Sequence, residues 1–394
     1  MERRPKMPHS RPLPRPPMKK QNPPSSKEID EVDAMINQFA SAPKFYDGTR
    51  MKSQINTITT PKVKSYEPID WKLAFPQSFI LAGKIPVYIN GDGGPTILCL
   101  HGAGHSGLSF APIALLNVTH RIVSFDFRGH GMNKMTDELS TELLVNDTIN
   151  VLQWIERSFK DDNIILIGHS MGGSIATKTC DKIFTEKDKY KELYEKIQGL
   201  IVIDVVEGTA IAALPFMENI VNNRPTSFPT LEKAIQYMNK SGTIRNLDSA
   251  RISVPPLLKE EYTGGKVTSY SWVTNLMASE KYWTDWFNGL TKAFLKVQVP
   301  KILMLAGAER MDKELTIAQM QGKFMLSIVR GAGHVIHEDN PKKVMDIIED
   351  FLETFHIKPK LSEMTPVIGK LGKYTPTMIK YDKFFCLLSF ITEE

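Results

Sequence analysis

The feature that most constrains this chain is a serine set in a corner. The residues Gly168-His169-Ser170-Met171-Gly172 follow directly on an apolar run at 164–167 and open a stretch of helical period at 173–183. A strand that turns this sharply into a helix is half of a βα unit, so the chain is expected to build a sheet with helices packed on its faces. Only small flanking residues fit such a corner, and Gly168, Gly172 and Gly173 provide them. The hydroxyl is then exposed at the sheet edge, and the first amides of the helix point toward the same space.

The rest of the chain fits that expectation. From about residue 76, short apolar runs alternate with longer segments of helical period: FILAG and IPVYING as an opening hairpin, then runs at 96–101, 121–127, 163–168, 199–204, 301–306 and 324–329. Most are continuously apolar rather than alternating, as parallel strands covered on both faces must be. The expected class is α/β, a mostly parallel central sheet with helices on both faces. After Asp204 about 95 residues pass before the next strand run, too long for a structureless loop in a compact domain. A helical cap inserted at about 207–298 is expected there, with Trp272, Trp283 and Trp286 packing it onto the sheet.

Charge is confined to the front. Residues 1–27 hold eight Lys or Arg against Glu2 alone, so a net +7 resides there and the remainder carries −2 of the chain's +5. Eight of the 25 prolines lie in the same segment, which blocks helix and sheet alike. The domain organisation read from this is a disordered basic Pro-rich region at 1–66, the folded domain at 67–356 and a C-terminal tail at 357–394. The near-neutral body gives no argument for a nucleic-acid partner. No window approaches the roughly 18 apolar residues needed to cross a bilayer, so no membrane partner is expected. Three cysteines, Cys99, Cys180 and Cys386, exclude a cysteine zinc site and fit a reducing compartment, cytoplasmic or nuclear.

Chemistry follows from the loops after the strands. Ser170 needs a base, and Gly331-Ala332-Gly333-His334 after the last strand run supplies His334; His337, three residues on, is the nearest competitor. The acid is either Asp204, which ends the strand after the nucleophile's helix, or Asp312, after the run at 302–305; pattern alone does not separate them. His101-Gly102-Ala103-Gly104 stands where the second half of an oxyanion hole belongs, so the amides of Ala103 and Met171 are the expected donors. His101 and the segment Asp126-Phe-Arg128-Gly129-His130-Gly131 read as elements that fix this loop. Gly102-x-Gly104-x-x-Gly107 with Asp126 nineteen residues on also mimics a dinucleotide-binding fingerprint, but that reading leaves the serine corner and the late histidine unexplained.

Taken together, LCLHGAGHSGLSF, FDFRGHG, LIGHSMGGSIA, IDVVEGTAIAAL, SGTIRNLDSARIS, EKYWTDWFNGL, LAGAERMDKELTIAQMQGKF and GHVIHEDNP resemble the protein phosphatase methylesterases, over roughly residues 70–355. The resemblance implies the α/β-hydrolase fold and a serine carboxylesterase. Its implied substrate is the C-terminal leucine methyl ester of the type 2A protein phosphatase catalytic subunit. It implies a triad of Ser170, Asp204 and His334, with Asp312 structural, and no metal or organic cofactor. It also makes Arg245 and Arg251 of the cap either phosphatase contacts or cap-stabilising pairs. The alternatives are a module that sequesters inactive phosphatase and an esterase for small molecules. The acidic insertion that the resemblance leads one to expect in the cap is nearly absent around 260–266.

Overall fold

The structure is a computed structural model and describes residues 65–357 apart from 118, 137 and 161. The basic front region and the C-terminal tail therefore lie, but for a few residues at their inner edges, outside the described residues.

The apolar runs become the strands β1 (Gln77–Leu81), β2 (Ile85–Asn90), β3 (Thr96–Leu100), β4 (Arg121–Phe125), β5 (Ile164–His169) and β6 (Ile197–Ile203). After the insertion, which carries β7 (Ser227–Phe228), β8 (Leu258–Thr263) and β9 (Lys266–Trp272), come β10 (Lys301–Leu305) and β11 (Met325–Ile328). The main sheet has eight strands in the order β1-β2-β4-β3-β5-β6-β10-β11. β1 and β2 form the expected antiparallel hairpin, β2 pairs antiparallel with β4, and all other pairs are parallel.

Alternation along the central strands divides the core into two faces. Leu98, Leu100, Leu166, Leu200, Val202, Leu303 and Leu305 point to one side, against the helices Thr141–Ser158 and Met171–Thr185. Ile97, Cys99, Ile165, Ile167, Ile201, Ile203, Ile302 and Met304 point to the other, against Ala111–Leu116 and Pro341–Thr354. Both sides are buried, which is why these strands read as continuous apolar runs. The last helix starts on Pro341, with Asn340 accepting from the Lys343 amide, and its Phe351 is fully buried over Gly199 of β6.

The insertion departs from the all-helical expectation. It contains the helices Glu207–Asn222, Leu231–Lys240, Leu247–Ser253, Glu280–Phe287 and Leu290–Lys296, but also a three-stranded antiparallel sheet, β7-β9-β8. The β8–β9 hairpin turns at Gly264 and Gly265, both at positive φ, where the acidic insertion would fall. Its small core of Phe228, Ala234, Ile235, Met238, Ile244, Ala250, Val254, Leu257 and Leu258 closes around Val335 of the main domain, the neighbour of His334. All three tryptophans pack: Trp286 Nε1 donates to the Leu139 carbonyl at 2.7 Å, Trp283 Nε1 to Ser279 Oγ at 2.9 Å, and Trp272 Nε1 to the Pro225 carbonyl at 2.7 Å beneath Arg224. Among the described residues no helix is long and apolar enough to cross a membrane.

Phe351→Ala removes the ring that joins the last helix to β6 and is expected to cost about 3–5 kcal/mol, read from the urea midpoint. A loss below about 1 kcal/mol would mean that this helix is not part of the cooperative core.

Candidate active site

Ser170 stands at the corner between β5 and the helix Met171–Thr185 with φ 52° and ψ −121°, a conformation that costs a non-glycine residue about 1–3 kcal/mol. The corner is held by the Ser170 amide donating to the Ile203 carbonyl at 3.0 Å and by the Ser170 carbonyl accepting from Gly173 and Ser174. A β-carbon at Gly168 would overlap the Gly172 carbonyl, and one at Gly172 would overlap the carbonyls of Leu100 and His101. The glycines of the motif therefore let β3, β5 and the helix approach closely enough to present the hydroxyl.

Asp204 follows β6, the strand next to β5, and is itself at φ 53°. Its buried carboxylate accepts from His334 Nδ1 at 2.8 Å through Oδ2 and from the Ala306 amide at 3.0 Å through Oδ1. His334 arrives from beyond β11 at the sheet edge, crossing back over β10 and β6. Its carbonyl accepts from His169 Nε2 at 2.9 Å and its ring lies 4.7 Å from that of His169, the residue before Ser170. The structure thus gathers His334 and Asp204, the expected base and acid, beside the corner that carries Ser170, and the imidazole keeps 29% of its surface open. With Nδ1 donating to Asp204, the neutral ring carries its lone pair on Nε2, the nitrogen that can accept a proton.

Asp312 does not join them. Its Oδ1 accepts from the Leu315 amide at 2.8 Å as the N-cap of the helix Lys313–Met320. His337 is no base either: it is fully buried, stacked 4.5 Å from Phe110, and burial holds it well below the usual imidazole range.

The loop carrying Ala103 is fixed by a buried polar layer. His101 Nδ1 donates to the Gly102 carbonyl at 2.8 Å and its Nε2 accepts from the Phe127 amide at 3.0 Å. His130 Nδ1 donates to the Arg128 carbonyl at 2.9 Å and its Nε2 accepts from the Gly104 amide at 3.0 Å. Asp126 takes the amides of Gly107 and Met132 and the Tyr88 hydroxyl, while Arg128 grips Asp147 through two hydrogen bonds of 2.7 and 2.9 Å. Asp126 is therefore committed to fixing the loop, not to a ribose. Ala103 sits on this loop and Met171 opens the helix, where the first amides lack intrahelical acceptors. Among the described residues no cluster of His, Cys, Asp or Glu has the form of a metal site.

The folded domain has relatives in sequence. The model of the alpha/beta hydrolase family matches residues 97–347. The Homo sapiens protein phosphatase methylesterase 1 is 39% identical over 311 residues, covering 68% of this chain and 78% of that protein. The Schizosaccharomyces pombe protein phosphatase methylesterase 1 is 38% identical over 313 residues, covering 76% and 88%. The chain belongs to the protein phosphatase methylesterases. Like the rest of that family it is an esterase built on the alpha/beta hydrolase fold. Among solved structures, E-2-(acetamidomethylene)succinate hydrolase superposes with TM-score 0.57 at 19% identity, over 70% of this chain and 98% of that one. The thioesterase domain from the curacin biosynthetic pathway gives 0.52 at 19%, over 69% and 98%. Both likenesses are of fold.

Within this methylesterase both cap arginines make contacts inside the fold. Arg245 Nη1 donates to the Gly331 carbonyl at 2.7 Å, and Asp339 accepts the amides of Arg245 at 2.7 Å and Gly333 at 2.5 Å, so the cap is tied to the loop that carries His334. Arg251 Nε donates to the Glu67 carbonyl at 2.7 Å and its Nη1 meets Asp248 at 3.1 Å. Sequence reasoning missed a further link. Glu338, fully buried, accepts from Ser253 Oγ, its carbonyl takes Ser249 Oγ at 2.6 Å, and His105 of the oxyanion loop lies 3.4 Å away. It also missed Arg310, buried and ion-paired with Asp204. Neither follows a spacing rule; the only signal was a charged residue inside a block of family-specific sequence.

Two outcomes follow from these contacts. Asp204→Asn should lower kcat by about 10⁴-fold, whereas Asp312→Ala should leave kcat within about threefold and lose about 1 kcal/mol of stability; ester-hydrolysis rates with urea unfolding decide the acid. Burial depresses His101, His169 and His337 well below 6.5 and His130 to about 4, so the unfolded chain takes up protons that the folded one refuses. Their contribution is complete above pH 6.5 and lost as pH falls toward 4. Asp126, pushed up to about 6 by burial, and Asp339, also raised, offset part of this. The urea midpoint should therefore fall as pH is lowered from about 6.5 to about 5, and a flat or rising midpoint would contradict the neutral imidazole layer.

Proposed function

We propose that this chain removes the methyl ester from the C-terminal leucine of the type 2A protein phosphatase catalytic subunit. The observation that carries the chemistry is the 2.8 Å hydrogen bond from His334 Nδ1 to Asp204, which orients the imidazole beside the Ser170 corner. The choice of ester rests on the names of the relatives and on IDVVEGTA, the IRN-x-x-SAR segment of the cap and DK-x-LTI-x-QMQGKF, which resemble that family and not the superfamily at large.

In the reaction, His334 Nε2 takes the Ser170 proton as Oγ attacks the ester carbonyl carbon. Negative charge collects on the carbonyl oxygen, where the amides of Met171 and Ala103 donate to it, each worth roughly 2.7–4 kcal/mol. The carbon–methoxy bond breaks, the leaving oxygen takes the proton from His334, and methanol departs. A water then attacks the acyl carbon, giving its proton to His334; the Ser170–acyl bond breaks, Oγ regains a proton, and the leucine carboxylate is released. His334 Nδ1 and the Ala306 amide keep both oxygens of the Asp204 carboxylate engaged throughout.

The direct test is mass spectrometry of a methylated phosphatase C-terminus before and after exposure to the protein. Loss of one methyl group with release of methanol is expected, and Ser170→Ala should slow it by at least about 10⁴-fold. An unchanged C-terminus alongside rapid hydrolysis of short acyl esters would favour the small-molecule esterase. Full activity of Ser170→Ala would remove the nucleophile assignment.

A further inference from the structure

The triad acid has a partner that no step of the reaction uses. Arg310 ends the short 3-10 turn Ala308–Arg310 just past β10, the strand beside the one that carries Asp204, and is 6% exposed. Its Nη1 pairs with Asp204 Oδ2, the same oxygen that accepts from His334 Nδ1, while Oδ1 is taken by the Ala306 amide. We propose that Arg310 is a positioning residue of the triad: it locks the Asp204 carboxylate in the orientation His334 requires and sets the pH at which that imidazole becomes a base. This inference rests on the assignment of Asp204 and His334 as acid and base.

The argument begins with rotation. A carboxylate held by one amide on Oδ1 can still swing its second oxygen about the side-chain bond, and the imidazole that follows it moves too. A buried guanidinium on Oδ2 removes that freedom, because its planar fork is stiff and cannot lose its charge. Asp204 sits at φ 53°, so its backbone conformation is not one the residue would choose by itself; contacts of this kind keep it in place.

The second part is charge. A buried carboxylate with no cation beside it would hold the neighbouring imidazole as imidazolium, with the proton it must accept already in place. Arg310 supplies a compensating charge on the oxygen that His334 shares, so removing it should strengthen the carboxylate's pull on the imidazole proton. The other groups around His334 supply no such charge. His169 and His337 face it, and burial holds both well below the usual range, so they are neutral there. Asp339, under the same loop, is occupied by the amides of Gly333 and Arg245. Asp312, two residues from Arg310, caps its own helix.

A merely structural arginine and a positioning one differ in the pH profile. The full chain and its Arg310→Met and Arg310→Lys variants are compared by kcat/KM and kcat on a short-chain p-nitrophenyl ester from about pH 5 to about pH 9, with circular dichroism to confirm folding. Arg310→Met should move the acid limb of kcat/KM upward by about one pH unit and lower kcat at least about tenfold. Arg310→Lys should return the limb to its wild-type position while recovering only part of kcat, since the charge is kept and the fork is lost. A folded Arg310→Met with an unmoved limb and full kcat would overturn the inference, as would a lysine variant whose limb stays shifted. If the methionine variant does not fold, Arg310→Lys decides: kcat lowered at least about fivefold with the limb in place supports the role, and full kcat overturns it. Wild-type protein that turns over no ester and whose Ser170 takes no fluorophosphonate label would bring down the triad assignment itself, and this inference with it.

Discussion

One hydrogen bond, from His334 to Asp204, joins pieces of chain 130 residues apart, and much of the architecture exists to let it form. The two residues leave different strands, β6 near the centre and β11 at the edge, so both strands must lie in register in one parallel sheet with β10 between them. A buried carboxylate is tolerated only when its oxygens are filled, and Asp204 meets that demand with an imidazole, an amide and a guanidinium. Asp204 is thus placed by the sheet, and His334 by Asp204 and His169.

The loop proposed to donate to the oxyanion is organised separately. Its loop is held by imidazoles kept neutral by burial, each donating through Nδ1 to a carbonyl and accepting a backbone amide through Nε2. Because these rings carry no charge near neutral pH, they fix backbone without adding a field that would compete with the developing oxyanion. The cap touches both halves. Ser249 and Ser253 reach Glu338, which lies beside His105 of the oxyanion loop, while Arg245 reaches the carbonyl of Gly331. A single insertion therefore bears on the loop of His334 and on the loop of Ala103 at once.

Much of this was legible before any coordinates. The main-sheet strands announce themselves because both faces are buried, so their sequences are unbroken apolar runs; the serine corner and the glycines before His334 mark close approach of backbone. The small sheet of the cap was hidden for the opposite reason. Strands such as LKEEYT and KVTSYSW are largely exposed and polar, and β7 spans only two residues, so no period stands out. The choice between Asp204 and Asp312 was invisible to pattern because both follow sheet strands; what separates them is that the side chain of Asp312 turns back to cap its own helix. Arg310 was hidden because its meaning lies entirely in a neighbour 106 residues away.

Ser170 and Asp204 share an unusual trait: each is a residue with a side chain held in a backbone region where glycine would be at ease. The protein thus keeps two residues of its proposed triad in conformations that oppose folding, and the surrounding sheet must be stable enough to carry them. Drift toward glycine at either position would relax the backbone while erasing the chemistry, so selection for durability alone would dismantle this site, and only selection for turnover preserves it.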